Sequence, residues 1–416
     1  MGINTPIGDD LETYYNNLVA GKSAISKWKW LKNENVYSKV GGDLSEYDIA
    51  SKAKSFKDKV PDAMAKRIRK LTKKAPFSTA CSVLVAADAW LDAGLPETDP
   101  SRVATIIGGH NLNERYFTTN YEVFLNEDPD YIDSMAALHM LDTDHAGSVS
   151  ELLGNNGAAY TMGGACASAN IAMRAALDEI RYHDHDIAVL VGAVLDFSQM
   201  GPQAMALMGA ITFESFNETP ETASRPYDMN REGFVPSHGG ACLVLEELEH
   251  AKRRGAKIYG EVLGCTSTSD GSHLPSPSPE GQARTIARLL RRTGIKPEEV
   301  DFVCAHATST PQGDVSEITA LKSVFGDHAY KLKINAPKSM LGHTCWSAPA
   351  VETVAALMQM KHGKLHPSIN VFDRDPVFDL EICANEAVDH QPRVILKNSF
   401  GFGGLNCCAL LRKFEG

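Results

Sequence analysis

The chain has 416 residues, a formal net charge of −11 and 43% hydrophobic residues. This length can bury a large core, and the acidic balance argues against a nucleic-acid or anionic-membrane surface as the main function. The nine cysteines form no short-spaced framework, and the sequence has no signal-peptide pattern and no apolar run long enough to span a membrane. We therefore predict a soluble, cytoplasmic protein that binds neither nucleic acid nor membrane.

Short apolar runs alternate with helical patterns along the chain. Near-continuous apolar runs typical of buried strands lie at 103–109, 187–193, 241–245, 302–306 and 394–398. Helical patterns lie at 78–93, 169–182, 279–293 and 316–325. Apolar strands between helices indicate a sheet covered on both faces, so the predicted fold class is layered α/β.

Two other stretches carry an expectation about organisation. The segment 110–150 is rich in aromatic and acidic residues with little period, so we expect an inserted, partly irregular segment that lines a site or an interface. The basic run 66–74 is typical of a solvated helix face, and a docking patch for an acidic partner is the alternative. A division near residue 255 leaves strand–helix alternation on each side, which is compatible with a duplicated fold of halves 1–255 and 256–416.

Cys166 lies among small residues just ahead of the helical pattern 169–182. At a helix start, unpaired backbone N–H groups and the positive end of the helix dipole favour a thiolate. The position therefore fits a nucleophile with a lowered pKa. A small, inert thiol packed between a helix and a sheet fits the same pattern.

Three segments after residue 300 each end a strand in a glycine-rich or small-residue turn and expose a polar group. They are 306–314, 335–344 and 398–406, and they present His306, Lys338 and His343. One histidine at a strand end is often structural, but sites in α/β proteins gather at the carboxyl ends of strands. Two histidines, a lysine and a glycine-rich hairpin at successive strand ends therefore favour a site.

Together with Cys166, these segments resemble the β-ketoacyl-acyl-carrier-protein synthases, and the resemblance covers essentially the whole chain. Its motifs occur in family order: the nucleophile segment 160–170, His-x-Thr-x-Thr-Pro-x-Gly-Asp, Lys-Ser-x-x-Gly-His and Asn-Ser-Phe-Gly-Phe-Gly-Gly. The stretches 5–8 and 225–234 also match. The resemblance implies a thiolase-like, layered αβαβα fold built from two duplicated halves with mixed sheets, and an acyltransferase activity.

The family's chemistry implies a role for each catalytic residue. Cys166 takes an acyl group from a carrier-protein thioester, which requires a soft nucleophile. A malonyl thioester then loses CO2, and His306 and His343 donate hydrogen bonds to the enolate. The backbone N–H groups of Cys166 and Phe402 would hold the oxyanion of acyl transfer.

The same resemblance implies supporting roles. Lys338 organises the site electrostatically and pairs with Glu352. Asp314 and Glu317 are structural supports behind the catalytic histidine rather than proton carriers.

Other positions match the family's substrate channel. Thr308 and Thr310 match the residues that bind the phosphopantetheine arm, although turn chemistry also explains them. Phe402 matches the gating phenylalanine, whereas Phe400 is expected in the core. The resemblance implies no bound cofactor and no metal, because the substrate is carried on the phosphopantetheine of an acyl carrier protein, malonyl- or acyl-loaded. A homodimer is also implied.

Several positions depart from an elongating synthase. Trp346 and Pro349 replace small residues, and Trp346 would block or reshape an acyl tunnel. His238 replaces a glutamate, and 163–164 are glycines. The stretch 138–147 and these two glycines are similar to the corresponding segments of the free-standing malonyl-carrier-protein decarboxylases of polyketide β-branching. That branch typically has serine where this chain has Cys166, so acyl transfer stays open.

Three further points complete the expectations. A non-catalytic chain-length partner would lack the nucleophile, and a thiolase using coenzyme A would carry a second catalytic cysteine, for which Cys407 and Cys408 are poor candidates. Their adjacency in a strand predicts side chains on opposite faces. The chain begins almost at the turn 5–8, so we expect loss of a central strand and either reduced stability or a rearranged amino terminus.

Overall fold

A computed structural model describes residues 1–95, 98–272 and 276–416. The strands of the first part are β1 Gly2–Asn4, β2 Ile25–Lys27, β3 Val40–Gly42, β4 Val103–Gly108, β5 Ala159–Met162, β6 Ile187–Gly192 and β7 Gly240–Glu246. Those of the second part are β8 Glu261–Ser269, β9 Phe302–Cys304, β10 Lys333–Asn335, β11 Lys364–Leu365, β12 Val388–Asp389, β13 Val394–Gly401 and β14 Leu405–Arg412.

The helices run between these strands. The earlier ones are α1 Leu11–Val19, α2 Ile49–Ser55, α3 Asp62–Thr72, α4 Phe77–Ala93, α5 Glu114–Asn126, α6 Ala136–His139, α7 Thr143–Leu153, α8 Ser168–Tyr182 and α9 Gly201–Leu207. The later ones are α10 Leu248–Arg253, α11 Pro279–Thr293, α12 Gly313–Phe325, α13 Lys338–Leu341 and α14 Ala348–His362. Every helix and strand predicted from periodicity is present, with ends shifted by at most three residues.

Two five-stranded mixed sheets organise the molecule, in the orders β1-β7-β6-β4-β5 and β8-β14-β13-β9-β10. In each sheet the first two pairings are antiparallel and the last two are parallel. Strands β1, β4, β5, β6 and β7 therefore correspond in order and direction to β8, β9, β10, β13 and β14. This repeat confirms the fold of two duplicated halves.

The helices complete the five layers. Helices α8 and α14 pack on each other and contact strands of both sheets, whereas α4 covers the first sheet and α11 covers the second. Consistent with its central position, α14 is buried at 13 consecutive residues, 348–360. One core cluster joins apolar residues of both halves, from Met1 to Leu411. The predicted division at residue 255 falls between α10 and β8, so the two sheets lie on either side of it.

Helix α11 shows how local sequence sets an element. Ser278 precedes the helix, and its Oγ accepts the Gly281 N–H at 3.0 Å. Pro279 occupies the first turn, where its missing N–H costs nothing. Gly294 ends the helix in the left-handed region at φ 71°, which glycine adopts without strain.

The expectation of a partly irregular segment at 110–150 is wrong for most of it. Helices α5, α6 and α7 occupy much of this stretch. The period was hidden because α5 buries none of its residues within this chain, so its apolar side chains follow no buried face. Apolar side chains exposed along 117–141 include Phe117, Tyr121, Phe124 and Leu125.

The amino-terminal expectation also needs correction. Strand β1 lies at the edge of its sheet, not in the centre, and pairs antiparallel with β7 from Gly2↔Cys242 to Asn4↔Gly240. The Met1 amine forms an ion pair with Asp92 at 2.7 Å. Within the ranges given above, no helix combines the length and apolarity needed to cross a bilayer.

Candidate active site

The predicted site residues meet at one cavity of about 370 Å³ between the two halves. Cys166 follows β5, His306 follows β9, and the hairpin of β13 and β14 carries 400–404. Six predicted residues line the cavity: Cys166, His306, Thr308, Thr310, His343 and Phe402. Strands of both sheets thus deliver the residues that follow them to the same point.

Cys166 lies on a short 3-10 turn, Ala165–Ala167, that leads directly into α8. Its side chain is buried. The backbone N–H groups of Cys166 and Phe402 both act on its sulfur and lower the thiol pKa. Gly401 permits this approach, because a Cβ there would lie 2.7 Å from the Gly164 carbonyl oxygen and 3.2 Å from the Cys166 nitrogen. The predicted pair of oxyanion N–H groups therefore converges on the nucleophile.

The expectation of a lowered Cys166 pKa is wrong for this state of the protein. Burial raises the pKa of the thiol to about 11, and the nearby Lys338 and the two backbone N–H groups only partly oppose it. At neutral pH the sulfur is therefore a thiol. Desolvation by the surrounding protein outweighs the helix-start effect on which the sequence argument relied.

The two histidines share a neutral, singly protonated form. The Nδ1 atom of His306 lies 3.4 Å from the Lys338 Nζ, and the Nδ1 atom of His343 accepts the Cys345 N–H at 3.2 Å. Each contact occupies Nδ1, so the ring proton resides on Nε2. Burial lowers both pKa values well below the usual range, and Lys338 lowers them further. The His343 Nε2 atom has no hydrogen-bond partner within the described residues.

The acidic pair supports the turn after β9, as expected. Glu317 accepts the backbone N–H groups of His306 and Ala307 at 2.9 and 2.8 Å. Asp314 accepts the Ser309 N–H at 3.1 Å, and burial raises the pKa of its carboxyl to about 7. Both carboxylates thus hold backbone around His306 and lie outside the cavity lining.

Lys338 pairs with Glu352 of α14, and both side chains are 2% exposed. Sequence reasoning missed a third member of this cluster. Lys397 of β13 is fully buried, and its Nζ lies 2.6 Å from the second oxygen of Glu352. The only sequence signal is a lysine inside an otherwise apolar strand, where a charged residue requires a partner.

The predicted channel residues Thr308, Thr310 and Phe402 line the cavity. The hydroxyl groups of Thr308 and Thr310 lie 3.0 Å apart, and Thr310 also accepts the Gly313 N–H, so both the turn and the channel interpretation have support. Phe400 is half-buried and packs against the second core cluster, as expected, and its ring also lines the cavity against His306. Sequence reasoning also missed Phe234, which packs against Phe402.

Trp346 lies behind the cysteine and does not line the cavity. Its ring stacks on His110 with centroids 4.5 Å apart. A Cβ at Gly163 would lie 3.1 Å from the His110 ring, so the glycine leaves room for this stack. The departures at 163 and 346 therefore belong to one packing arrangement.

Two other sequence departures have structural explanations. His238 is buried among the rings of Trp28, Phe77 and Phe197, and its Nδ1 accepts the Leu44 N–H at 3.1 Å. Pro349 occupies the first turn of α14, where proline is tolerated.

Cys407 and Cys408 point to opposite faces of β14, as predicted, because they belong to separate core clusters. Neither lines the cavity. All nine cysteines are free and buried. Within the described ranges, no group of three or more His, Cys, Asp or Glu side chains is arranged to hold a metal ion.

The chain belongs to the β-ketoacyl synthase family. The family model for the beta-ketoacyl synthase N-terminal domain matches residues 1–251, and that for the C-terminal domain matches residues 259–372. The fold and the sequence motifs agree with this assignment, so the resemblance is confirmed.

Individual relatives extend over the whole chain. The polyketide biosynthesis malonyl-ACP decarboxylase PksF of Bacillus subtilis (strain 168) is 32% identical, with 100% of this chain and 95% of PksF covered. The 3-oxoacyl-[acyl-carrier-protein] synthase 2 of Coxiella burnetii is 33% identical, with 99% and 97% covered. The ketosynthase of the AntDE:AntF complex, a type II polyketide synthase ketosynthase solved with its acyl-carrier protein, superposes with a TM-score of 0.85 at 27% identity, with 100% and 98% covered.

Proposed function

We propose that this protein decarboxylates malonyl groups carried on the phosphopantetheine arm of an acyl carrier protein. The observation that carries the proposal is the pair of neutral imidazoles, His306 and His343, lining one cavity with centroids 5.4 Å apart. Each ring keeps its proton on Nε2, as hydrogen-bond donation to an enolate oxygen requires.

The mechanism follows from this geometry. The malonyl thioester carbonyl accepts hydrogen bonds from the two Nε2–H groups. The bond between the carboxylate and the methylene carbon breaks, CO2 leaves, and the electron pair delocalises onto the thioester oxygen as an enolate. A proton from solvent water then adds to the enolate carbon, and the acetyl thioester and hydroxide result. Uncharged donors stabilise the enolate without holding the malonyl carboxylate in a fixed ion pair.

Two observations favour decarboxylation without condensation. The stacked rings of His110 and Trp346 lie next to the cysteine turn, where an elongating family member would hold its acyl chain. One relative similar over the whole chain is named a malonyl-ACP decarboxylase. The buried, protonated Cys166 thiol is consistent with a cycle in which this residue is not acylated.

Condensation is the second candidate function. Cys166 is present, and the N–H groups of Cys166 and Phe402 converge beside its sulfur, where they can bind the oxyanion that forms in acyl transfer. Another relative is named a 3-oxoacyl-[acyl-carrier-protein] synthase. In this alternative, a short acyl group on Cys166 receives the enolate, and Phe402 gates the channel. A non-catalytic chain-length partner is disfavoured, because the nucleophile and both histidines are in place.

The intact protein with malonyl-loaded carrier protein separates these candidates. Intact-protein mass spectrometry follows the carrier species, with and without an acyl-carrier donor. Acetyl-carrier protein alone supports decarboxylation, whereas a β-ketoacyl product with acylated Cys166 supports condensation. No change to the malonyl-carrier protein under either condition overturns both candidates.

Trp346→Gly tests whether the stacked rings exclude an acyl chain. We expect this variant to accept acyl groups on Cys166 that the parent refuses, measured as acyl adducts by mass spectrometry. Trp90→Phe, in a helix on the outer face of the first sheet, is the matched aromatic control and leaves the adducts unchanged. Equal acylation of the parent and Trp346→Gly would show that the stacked rings do not exclude an acyl chain from Cys166.

Two surfaces suit the partners implied by the family. The basic run of α3 exposes Lys66, Arg69 and Lys70, which suits an acidic carrier protein. The apolar side chains exposed along 117–141, together with the edge strand β5, suit a second copy of this chain. Sedimentation measurements test the homodimer, and Leu125→Lys is expected to weaken it, since Leu125 is 60% exposed in the single chain.

A further inference from the structure

We propose that Lys397 is a positioning residue for the decarboxylation: together with Lys338 it shares Glu352 and leaves an excess positive charge facing the two active-site histidines. The inference rests on the proposed function for its consequence in catalysis. The predicted effect of Lys397 on the pKa values of the two imidazoles does not rest on the proposed function, because their protonation is measurable without turnover.

The geometry of the cluster is a buried chain of three charges. Lys338 binds one oxygen of Glu352, and Lys397 lies 2.6 Å from the other. The remaining hydrogens of Lys397 go to the carbonyl of Asn398 and to the Ser399 hydroxyl, at 3.0 Å for the latter. All three charged side chains are at most 2% exposed. Each carboxylate oxygen therefore serves a different lysine.

Lys397 is charged in this setting. Burial lowers the pKa of Lys397, but the nearby Glu352 carboxylate outweighs burial and holds the pKa of Lys397 above the usual value. A single buried Lys338–Glu352 pair would be neutral. The second lysine leaves one positive charge more than the carboxylate can balance, and an excess buried charge is costly without a further role.

The charge of the surrounding groups does not cancel this excess on the imidazole side. Glu317 binds the His306 N–H, the Ala307 N–H and the Asn398 side chain, so its carboxylate faces the backbone of β9 and β13. Asp314, with a pKa raised to about 7 by burial, is only partly ionised at neutral pH. At the cavity mouth, Glu232 accepts from Thr212, and Asp270 accepts from Asn406.

The other titratable groups packed around the cluster are uncharged at neutral pH. Burial raises the pKa values of Cys166, Cys304, Cys345 and Tyr14, and burial lowers the pKa of His366 to about 4. The lysines are therefore the cations that act on the two rings. Both Lys338 and Lys397 lower the pKa values of His306 and His343, in addition to burial.

Two consequences follow for the reaction. The cations keep both rings neutral down to acidic pH, so that each presents Nε2–H as a donor rather than a charged imidazolium. The negative charge moves from the malonyl carboxylate to the thioester oxygen that accepts from the two rings, so a positive charge behind the rings stabilises the enolate more than the malonyl ground state. Lys397 touches neither substrate nor reacting atoms, so it acts through the histidines and through Lys338.

Lys397→Met tests the proposal, because methionine keeps the length of the side chain and removes its charge. Diethyl pyrocarbonate reacts with neutral imidazole, and peptide mass spectrometry reads its addition to His306 and His343 at each pH. Removal of the cation raises the pKa values of the rings, so the midpoint of modification should rise by about one pH unit. The midpoint of the acid limb in the pH profile of decarboxylation should rise by the same amount. At neutral pH, kcat should fall about tenfold while KM stays unchanged.

Controls separate this role from a structural one. Lys397→Arg keeps the charge and should retain the parent midpoint. Lys333→Met removes a partly exposed ammonium on β10, two strands away in the same sheet, and should leave the midpoint unchanged. Lys397→Gln also removes the charge but keeps a hydrogen-bonding end for the Ser399 hydroxyl and the Asn398 carbonyl. It should raise the midpoint as Lys397→Met does, and it provides the test if Lys397→Met does not fold.

An unchanged midpoint in folded Lys397→Met or in folded Lys397→Gln overturns the proposal. Absence of decarboxylation in the parent would sink the proposed function alone, since the chemical modification still reports the charge state of the rings.

Discussion

A neutral imidazole donates to an enolate oxygen only while its proton stays on the nitrogen that faces the substrate. In this site, two different groups fix that nitrogen: the Lys338 ammonium for His306 and the Cys345 backbone N–H for His343. A side chain can be lost by mutation without changing the fold, whereas a backbone donor cannot. The His343 tautomer is therefore the more securely held of the two.

Removal of either ring should affect kcat and spare KM, because both donate chiefly to the developing enolate. We expect His306→Ala and His343→Ala each to lower kcat for malonyl-carrier decarboxylation roughly 100- to 1000-fold. Steady-state release of CO2 measures the effect. The double variant should lose less than the product of the two factors, since the donors act on one oxygen. A strictly multiplicative loss would contradict a shared oxygen.

Cys166 should react slowly as a nucleophile at neutral pH. A thiol with a pKa of about 11 is thiolate to only about one part in 10,000 at pH 7. Its alkylation by iodoacetamide should therefore rise about tenfold per pH unit up to pH 10. Site-resolved mass spectrometry gives the rate, and Cys166→Ala is the blank. A rate that is already flat above pH 7 would show an ionised thiol.

At the scale of single elements, the turn before α8 contains a residue with unusual backbone. Ala165 has φ 46°, in the left-handed region, which costs an L-residue about 1–2 kcal/mol. This conformation places Cys166 against the two oxyanion N–H groups before the helix begins. The turn therefore stores strain beside the nucleophile.

Glycine substitutions on the two sides of Cys166 should have different effects on stability. Ala165→Gly relieves the strain and offsets the entropy cost of glycine, so the free energy of unfolding should change by less than about 1 kcal/mol. Ala167→Gly, at φ −100° and buried, gains no relief and should lose roughly 1–2 kcal/mol. Urea denaturation measures both. Equal losses would argue against strain at Ala165.

The sequence predicted elements better than it predicted electrostatics. Motif order and apolar runs located the strands around His306 and Lys338, because periodicity and turn chemistry are local properties. The pKa of Cys166 and the partnership of Lys397 with Glu352 depend on burial and on contacts between segments 45 residues apart, which no local pattern encodes. Helix α5 was missed for a related reason, since the chain itself does not cover its apolar side chains.

At the scale of the whole molecule, the two halves share one interior. Helices α8 and α14 pack on each other between the sheets, and the largest core cluster draws residues from both halves. Asn170 of α8 donates to the Cys407 carbonyl of β14 at 3.0 Å. Neither half can bury its apolar face alone.

The chain should therefore unfold as one unit. We expect a single urea transition with coincident midpoints for far-UV circular dichroism and for tryptophan fluorescence, whose residues all lie before 256 except Trp346. Fragments 1–255 and 256–416 expressed separately should be insoluble or molten. Two separated transitions, or a folded isolated half, would contradict the shared interior.

The duplicated topology assigns a counterpart to the nucleophile. Ala165 at φ 46° opens the turn Ala165–Ala167 before α8, and Cys345 at φ 53° opens the turn Cys345–Ser347 before α14. The residue after each is Cys166 in one half and Trp346 in the other. The two copies of one helix-start motif thus have different roles. The first copy presents the sulfur of the nucleophile, and the second copy has an indole at the equivalent position, which fills space near that sulfur.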